Sequence, residues 1–373
     1  LIFREEINRK YIGTALFDDK NSIVITVILN TAKGGMNNMF NSKKLLSIFS
    51  KNIKKNEMLA WKEFYSLGTI IQLRAYGNKS EIAISEAMKR VNDIDDKMSA
   101  FKDYSELSKI NRSAGKCYEK VSYDTYFVID KAVEYSRMSH GTFDPTIRPI
   151  VNLWNIGKEN FKIPDKSEIV NNLNLVDYKD ICLDEKDVSI KLKKENQKLD
   201  VGGIAKGYAA DEVRRVFEKY RIKSALIDLG GNILAVGNKA DGSNWNIGIQ
   251  NPLKERGEFV GVLSISNKSV VTSGNYERYS IKDGKRFHHI IDSRTGYPSE
   301  GEVISTTIIS DYSIDGDGLS TGVYIMGVKD GMELIESING VEAIFITEDK
   351  KVCTTSGIKD KFNITNTEFS YGK

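Results

Sequence analysis

Residues 198–211 read KLDVGGIAKGYAAD, and residues 223–237 read KSALIDLGGNILAVG. Each is a short apolar run ending in a carboxylate, then one residue, then a Gly-Gly pair. In the first, a helical pattern follows at once, with Tyr208, Ala209, Val213, Val216, Phe217 and Tyr220 on one face. In the second, residues 225–229 and 233–236 read as strands flanking Gly230–Gly231. Paired glycines let a backbone approach another backbone, or a phosphate, where a Cβ would collide. A helix opening behind such a turn aims unpaired N–H groups at whatever sits there. Neither stretch is GxGxxG, and neither is GxxxxGK followed by Ser or Thr, so the dinucleotide fingerprint and the Walker loop are excluded.

The pattern outward from this centre is mixed. Residues 64–76 alternate as a strand, and residues 80–98 place Ile82, Ile84, Ala87, Met88, Val91 and Ile94 at helical spacing. Residues 105–111 are polar and turn-rich, and 124–139 form a second helix. Residues 140–154 begin as a loop punctuated by Gly141, Pro145 and Pro149. A surface connection with a short helix spans 155–180, and two short strands fit 181–192. Further strands are predicted over 245–250, 259–265, 269–272 and 303–309, with a hairpin turning at Asp283–Gly284 and a last one over 343–355. Residues 319–326 read as helix. Long antiparallel sheets with helices make the fold class α+β rather than doubly wound.

The 373 residues divide into a leader (1–59), a body (60–365) in two parts meeting near 197/198, and a tail (366–373). Apolar residues make up 40% and charged residues 28%, a soluble composition. The net charge is +3, but residues 1–60 alone hold ten Lys/Arg against five Asp/Glu, leaving the body at −2. The body carries no Lys/Arg stripe interleaved with aromatics, so nucleic acid is not its partner. The basic leader reads as a solvated segment, or one lying near a membrane or nucleic acid. Three widely spaced cysteines, Cys117, Cys182 and Cys353, imply neither a disulfide framework nor a zinc knuckle. No run of 18 apolar residues exists, so no spanning helix is expected. Residues 45–49 (LLSIF) follow two lysines but are too short for a signal sequence.

Downstream, residues 316–321 read GDGLST, with Asp317 and Thr321 one helical turn apart. A carboxylate and a hydroxyl on one face are hard oxygen ligands of the kind Mg²⁺ takes beside substrate phosphate. The bland alternative is a helix N-cap at Asp317. Asp200 and Asp228 precede glycine turns and can serve simply as turn caps. Lys206 is either a point charge for a phosphate or a solvated helix lysine. His288 and His289 point to opposite faces if extended, so at most one enters a cleft, as a base or as a structural group. Phe101 and Phe143–Asp144 offer stacking surface and an acceptor for a flavin or adenine ring, or they are core residues.

The set MSxFxxxSELSxxN, GxFDPT, KLDxGGIAKGYAAD, ALIDLGGNI, WxIGIQNP, SVVTSGxYERY, HHIIDxxTGYP and DxLST occurs in order from about Phe64 to Phe345. It resembles the FAD:protein FMN transferase family, also called ApbE-type flavin transferases. The resemblance implies an α+β fold of two related halves with an FAD cleft between them. It also implies Mg²⁺-dependent transfer of FMN from FAD, through a phosphoester, to a Thr or Ser of a target protein, with release of AMP. The targets so implied are flavoprotein subunits of membrane electron-transfer complexes. Rival readings are an FAD pyrophosphatase giving FMN and AMP, a non-catalytic FAD-binding protein, and a purely structural module. Carried over by position, the metal ligands are Asp317, Thr321 and the carbonyl of Gly203. FAD contacts are Leu67, Phe101, Thr142, Phe143, Asp144, Asp200, Lys206 and Ile291, and His289 is the base. The chain departs from the family pattern at Leu67 (usually Met), Gly316 and Gly318 (usually Ala) and Ser293 (usually Pro). The glycines are expected to add flexibility and Ser293 to loosen its turn. Family members are commonly extracytoplasmic and membrane-attached. Neither a signal peptide nor a lipid-accepting Cys is visible, so the expectation is a cytoplasmic protein if the chain is complete.

Overall fold

The computed structural model describes residues 59–372, so the expectations for the leader before Leu59 lie outside the described residues. The first part contains β1 (Leu59–Ser66), β2 (Thr69–Tyr76), α1 (Ser80–Met98), α2 (Glu106–Arg112), β3 (Glu119–Lys120), α3 (Tyr123–Met138), α4 (Arg148–Trp154), α5 (Lys166–Leu173), β4 (Ile181–Asp184) and β5 (Ser189–Leu192). The rest contains α6 (Ala205–Lys219), β6 (Ser224–Leu229), β7 (Asn232–Val236), β8 (Trp245–Gln250), β9 (Phe259–Ile265), β10 (Ser269–Gly274), β11 (Tyr279–Lys282) and β12 (Lys285–His288). It ends with β13 (Val303–Ser310), α7 (Ser313–Glu336), β14 (Glu342–Thr347), β15 (Lys351–Thr354), β16 (Phe362–Ile364) and β17 (Ser370–Tyr371).

Nine strands form one sheet in the order β1-β2-β6-β7-β10-β13-β14-β15-β17, with strands from both sides of residue 197. Neighbours are antiparallel except the terminal β15–β17 pair, so the α+β expectation holds. Helices α1, α6 and α7 cover one face. Ala83, Ile84, Ala87, Val91 and Ile94 of α1 are buried there with Ile71, Leu73 and Ala75 of β2. A three-stranded sheet, β16-β9-β8, covers part of the other face, burying Trp245, Ile247 and Leu263 against Leu226, Ile233 and Val270. Alternating burial along β8 is what a strand with one face on a core should show.

Three local expectations are corrected. Residues 64–76 are not one strand but the β1–β2 hairpin, turning at Leu67 (φ 51) and Gly68 (φ 72). Two positive φ values in succession match the tight hairpin turn whose twist suits the strands, and a leucine there is strained. Residues 105–111 are not a turn but helix α2, because the Ser105 side chain accepts from the Ser108 N–H and caps it. Residues 319–326 are the middle of α7, which starts six residues earlier and kinks at Gly327 (φ 82).

The glycines of GDGLST therefore lie inside a helix, despite their poor propensity. They are there for space. A Cβ on Gly318 would fall 2.6 Å from Tyr135 Cε2, and one on Gly316 would fall 2.9 Å from Val271 Cγ2. The Tyr135 ring cannot yield easily, since its hydroxyl donates to Asp315 at 2.5 Å.

Helices α6 and α7 meet closely at Gly207, where a Cβ would come 2.7 Å from both Ile314 Cα and Asp317 Cβ. Each helix caps the other. The Asp317 carboxylate on α7 accepts the Gly207 N–H, in the first turn of α6, at 2.9 Å. The Asp211 carboxylate on α6 accepts the Ser313 and Ile314 N–H groups, at the start of α7, both at 2.9 Å. Neither helix has a side-chain cap from its own N-cap residue, so these bonds satisfy donors otherwise orphaned. The substitution Gly207→Ala is expected to destabilise the fold by about 1–3 kcal/mol through overpacking. That reverses the roughly 1 kcal/mol gain Ala usually brings to a helix interior. Denaturant unfolding reads the difference, and a Gly207→Ala variant as stable as the parent would contradict this crossing.

Candidate active site

The cleft runs along the ends of β6, β7 and β10, under the β1–β2 turn, with a volume of about 520 Å³. That is within the range of small-molecule sites. Two hairpin turns lie side by side on its wall. Gly230 (φ +65) has no room for a Cβ, which would fall 2.8 Å from Thr69 Cγ2. Its neighbour Gly231 donates its N–H to Asp228 Oδ1 at 2.8 Å, so Asp228 caps its turn. All twelve residues carried over by position line this one cleft: Leu67, Phe101, Thr142, Phe143, Asp144, Asp200, Gly203, Lys206, His289, Ile291, Asp317 and Thr321.

Their surroundings differ. Asp317 is 3% exposed. Besides the Gly207 N–H, it pairs with Lys206 Nζ at 3.1 Å, and that ammonium also donates to the Gly202 carbonyl at 2.8 Å. Asp317 is thus no cap of its own helix. The Thr321 hydroxyl lies 3.8 Å from where a Cβ on Gly203 would be, and 3.4 Å from Ser273 Oγ. The Asp317 carboxylate and the Thr321 hydroxyl lie beside the 202–203 turn, and the Lys206 ammonium bridges Asp317 and the Gly202 carbonyl, next to Gly203. Such a donor set fits a hard divalent cation. Among the described residues there is no cluster of three or more His, Cys, Asp or Glu, so any ion here would rely on hydroxyl and carbonyl oxygens as well.

Asp200 Oδ2 pairs with Arg148 at 2.8 Å and its Oδ1 accepts the Gly202 N–H at 2.9 Å. The buried Arg148 guanidinium also lies 4.7 Å from the centre of the Phe101 ring, and Lys158 Nζ lies 5.4 Å from it. Phe101 itself is 74% exposed, so it is not a core aromatic. Phe143 is buried, yet its ring edge packs against Gly203, where a Cβ would fall at 3.2 Å. The Thr142 hydroxyl is committed to the Ser139 and Gly322 carbonyls. Asp144 accepts from Thr146 N–H, Thr146 Oγ1 and Tyr178 N–H at 2.6–2.8 Å. Burial pushes its carboxyl up to about 6, and those three bonds limit the rise. Asp211 is likewise raised to about 6 by burial, against its two helix-capping bonds.

His288 and His289 part ways as strand alternation requires. His288 is buried, with Nε2 at 2.9 Å from the Ser299 carbonyl, while His289 lines the cleft. His289 Nδ1 sits 3.1 Å from the Arg278 carbonyl. A carbonyl only accepts, so Nδ1 carries the proton and Nε2 keeps its lone pair. Burial, and then the Arg278 guanidinium, lower His289 to about 4. The Ser293 hydroxyl ties its turn to the Gly141 and Thr142 carbonyls, and Gly296 N–H closes on the Asp292 carbonyl at 2.8 Å. Arg148, Asp211, Ser273 and Ser293 were not assigned from the sequence. Cues were visible for Asp211 at the end of KGYAAD, for Ser273 inside SVVTSGNYERY and for Ser293 as a departure from the family pattern; Arg148 had none.

A model of the ApbE family matches residues 67–345. An FAD:protein FMN transferase of Klebsiella pneumoniae is 35% identical, over 80% of this chain and 92% of that protein. One of Treponema pallidum is 33% identical, over 81% of this chain and 88% of that protein. The crystal structure of the ApbE protein of Thermotoga maritima superposes with a TM-score of 0.75 at 29% identity, covering 82% of this chain and 99% of that one. The flavin transferase ApbE of Vibrio cholerae gives 0.74 at 25% identity, covering 81% and 99%. Fold, ordered motifs and these relatives agree: the chain belongs to the ApbE family.

Proposed function

We propose that this protein moves the FMN half of FAD onto a Thr or Ser hydroxyl of an acceptor protein, with Mg²⁺ bound and AMP released. We infer flavin-bearing subunits of membrane electron-transfer complexes as the acceptors. One juxtaposition carries the reading: the α6–α7 oxygen set and a neutral, oriented His289 share a single cleft. The activity named for the Klebsiella and Treponema relatives supports it.

Each residue then has a task. His289 is neutral at pH 7, and its Nε2 takes the proton of the incoming hydroxyl. Asp317, Thr321 and the Gly203 carbonyl would hold Mg²⁺, which when bound neutralises charge on the diphosphate oxygens, worth on the order of several kcal/mol. Lys206 steadies Asp317 and adds positive charge beside the same oxygens. The exposed face of Phe101 gives an aromatic ring of FAD a stacking platform, braced from behind by Arg148. Phosphoryl transfer asks mostly for such positioning and electrostatics.

With FAD, Mg²⁺ and an acceptor domain, the expected product is a denatured acceptor that keeps flavin fluorescence in a gel and gains the mass of an FMN group. Free FMN and AMP alone would mean hydrolysis instead, and intact FAD would mean a carrier. Loss of the base in His289→Ala should slow transfer roughly 10²–10⁴-fold. Asp317→Ala should cost at least as much, and near-normal transfer by that variant at low Mg²⁺ would remove the metal assignment.

The pH dependence follows from His289. Its folded pKa is depressed to about 4, so the proton-accepting form persists until the pH falls through about 4. The His289-linked acid limb of kcat/KM should therefore lie near pH 4, below the ordinary imidazole value, and vanish in His289→Ala. A profile unchanged by that substitution would end its role as base.

A further inference from the structure

Four cationic side chains line the cleft: Lys158, Lys206, Arg256 and Arg278. Three are engaged. Lys206 pairs with Asp317, Arg256 pairs with Glu277 at 2.8 Å, and Lys158 lies over Phe101. Among the described residues, Arg278 has neither a carboxylate nor an aromatic partner. The residue is nonetheless held. Its carbonyl accepts the His289 N–H at 3.0 Å and faces His289 Nδ1. Its stem lies against Gly157, where a Cβ would fall 2.6 Å from Arg278 Cγ. Gly157 (φ +78) is itself fixed by donating its N–H to Ser280 Oγ at 2.9 Å. An exposed guanidinium with no carboxylate partner, on an anchored backbone at the cleft edge, is available to an anion.

We propose that Arg278 is a catalytic residue of the transfer, its guanidinium taking the oxygens of the FMN phosphoryl group as charge builds on them. This rests on the transfer reading above. The choice of the FMN side follows from the neighbourhood of His289: the hydroxyl that His289 deprotonates attacks the FMN phosphorus, and Arg278 lines the same cleft, with its carbonyl fixing His289 Nδ1 and its guanidinium close enough to act on the imidazole. In the step, the bond from acceptor oxygen to FMN phosphorus forms and the bond from that phosphorus to the bridging oxygen breaks. AMP departs with the bridging oxygen and the electron pair, and the acceptor proton ends on His289 Nε2. Arg278 donates N–H bonds to the non-bridging oxygens throughout and exchanges no proton.

The test compares Arg278→Gln, Arg278→Lys and, as a matched charge loss on the same wall, Lys158→Gln. Arg278→Gln should lower kcat about 10²–10³-fold, as loss of an oxyanion donor does. The Kd for FAD, read by flavin fluorescence, should change less than about tenfold, because the contact strengthens in the transition state. Arg278→Lys should recover only part of the rate, lacking the bidentate fork. The acid limb of kcat/KM should move to higher pH in Arg278→Gln, since burial, His288 and Lys206 remain but the nearest guanidinium is gone from His289. Two results would overturn the proposal: Arg278→Gln within about threefold of a wild type that forms adduct, or full activity in Arg278→Lys with an equal loss in Lys158→Gln. A wild type that binds FAD but forms no adduct would instead remove the transfer reading on which the proposal rests.

Discussion

Two aspartates exchanged between two helices organise this molecule. Asp211 of α6 closes the N-terminus of α7, and Asp317 of α7 closes the N-terminus of α6. Both carboxylates are buried, a position that costs free energy unless every lone pair is well used. Here they receive backbone N–H groups at positive helix ends, the cheapest partners a buried anion can find. The pair sets where α7 begins, and so brings Asp317 and Thr321 to the cleft one turn in. Gly207 is the steric condition for the arrangement, because any side chain there would push the helices apart.

The far side of α6 is fixed as firmly. Arg90 of α1 makes a bidentate pair with Asp124 of α3 and bonds Glu212 of α6, while Lys97 and the Tyr208 hydroxyl complete the set. Burial would raise Asp124, but Arg90, Lys97 and Tyr208 together hold it well below the usual carboxylate range. With α6 clamped on both flanks, the 202–203 turn ahead of it has little freedom. The metal-ligand candidates therefore sit on rigid elements, and the exposed groups, Phe101 and Arg278, sit on loops at the cleft edge. That division is suited to a site that must hold one charge fixed and admit a bulky substrate and a protein acceptor.

Elements with a clean period were legible in the sequence. Residues 80–98, 245–250 and 259–265 were read with the bounds of α1, β8 and β9. The misses share a cause, which is that tertiary contact overrode a local signal. Leu67 at φ 51 is not a residue that announces a turn, yet the β1–β2 hairpin needs one there. The glycines of α7 argue against a helix until Tyr135 and Val271 are seen filling the space beside them. For the site, spacing alone yielded only the Asp317–Thr321 pair; the other positions came from ordered motifs that resemble a known family. The partnerships that make the site work, Asp211 with α7, Arg148 with Asp200, and Ser293 with the 141–142 carbonyls, join residues about 50 to 150 positions apart. No single-sequence periodicity encodes pairs so distant.

The account stands or falls on the α6–α7 crossing being an oxygen site for a divalent cation. Mn²⁺ can substitute for Mg²⁺ at hard oxygen sites, and its free form is counted by electron paramagnetic resonance. Titrating the wild type and Asp317→Asn with Mn²⁺ in the presence of FAD tests the claim directly, with flavin fluorescence monitoring FAD in the same samples. The expected result is saturable Mn²⁺ binding by the wild type that is lost in the variant while FAD still binds. Equal Mn²⁺ binding by both proteins would contradict it.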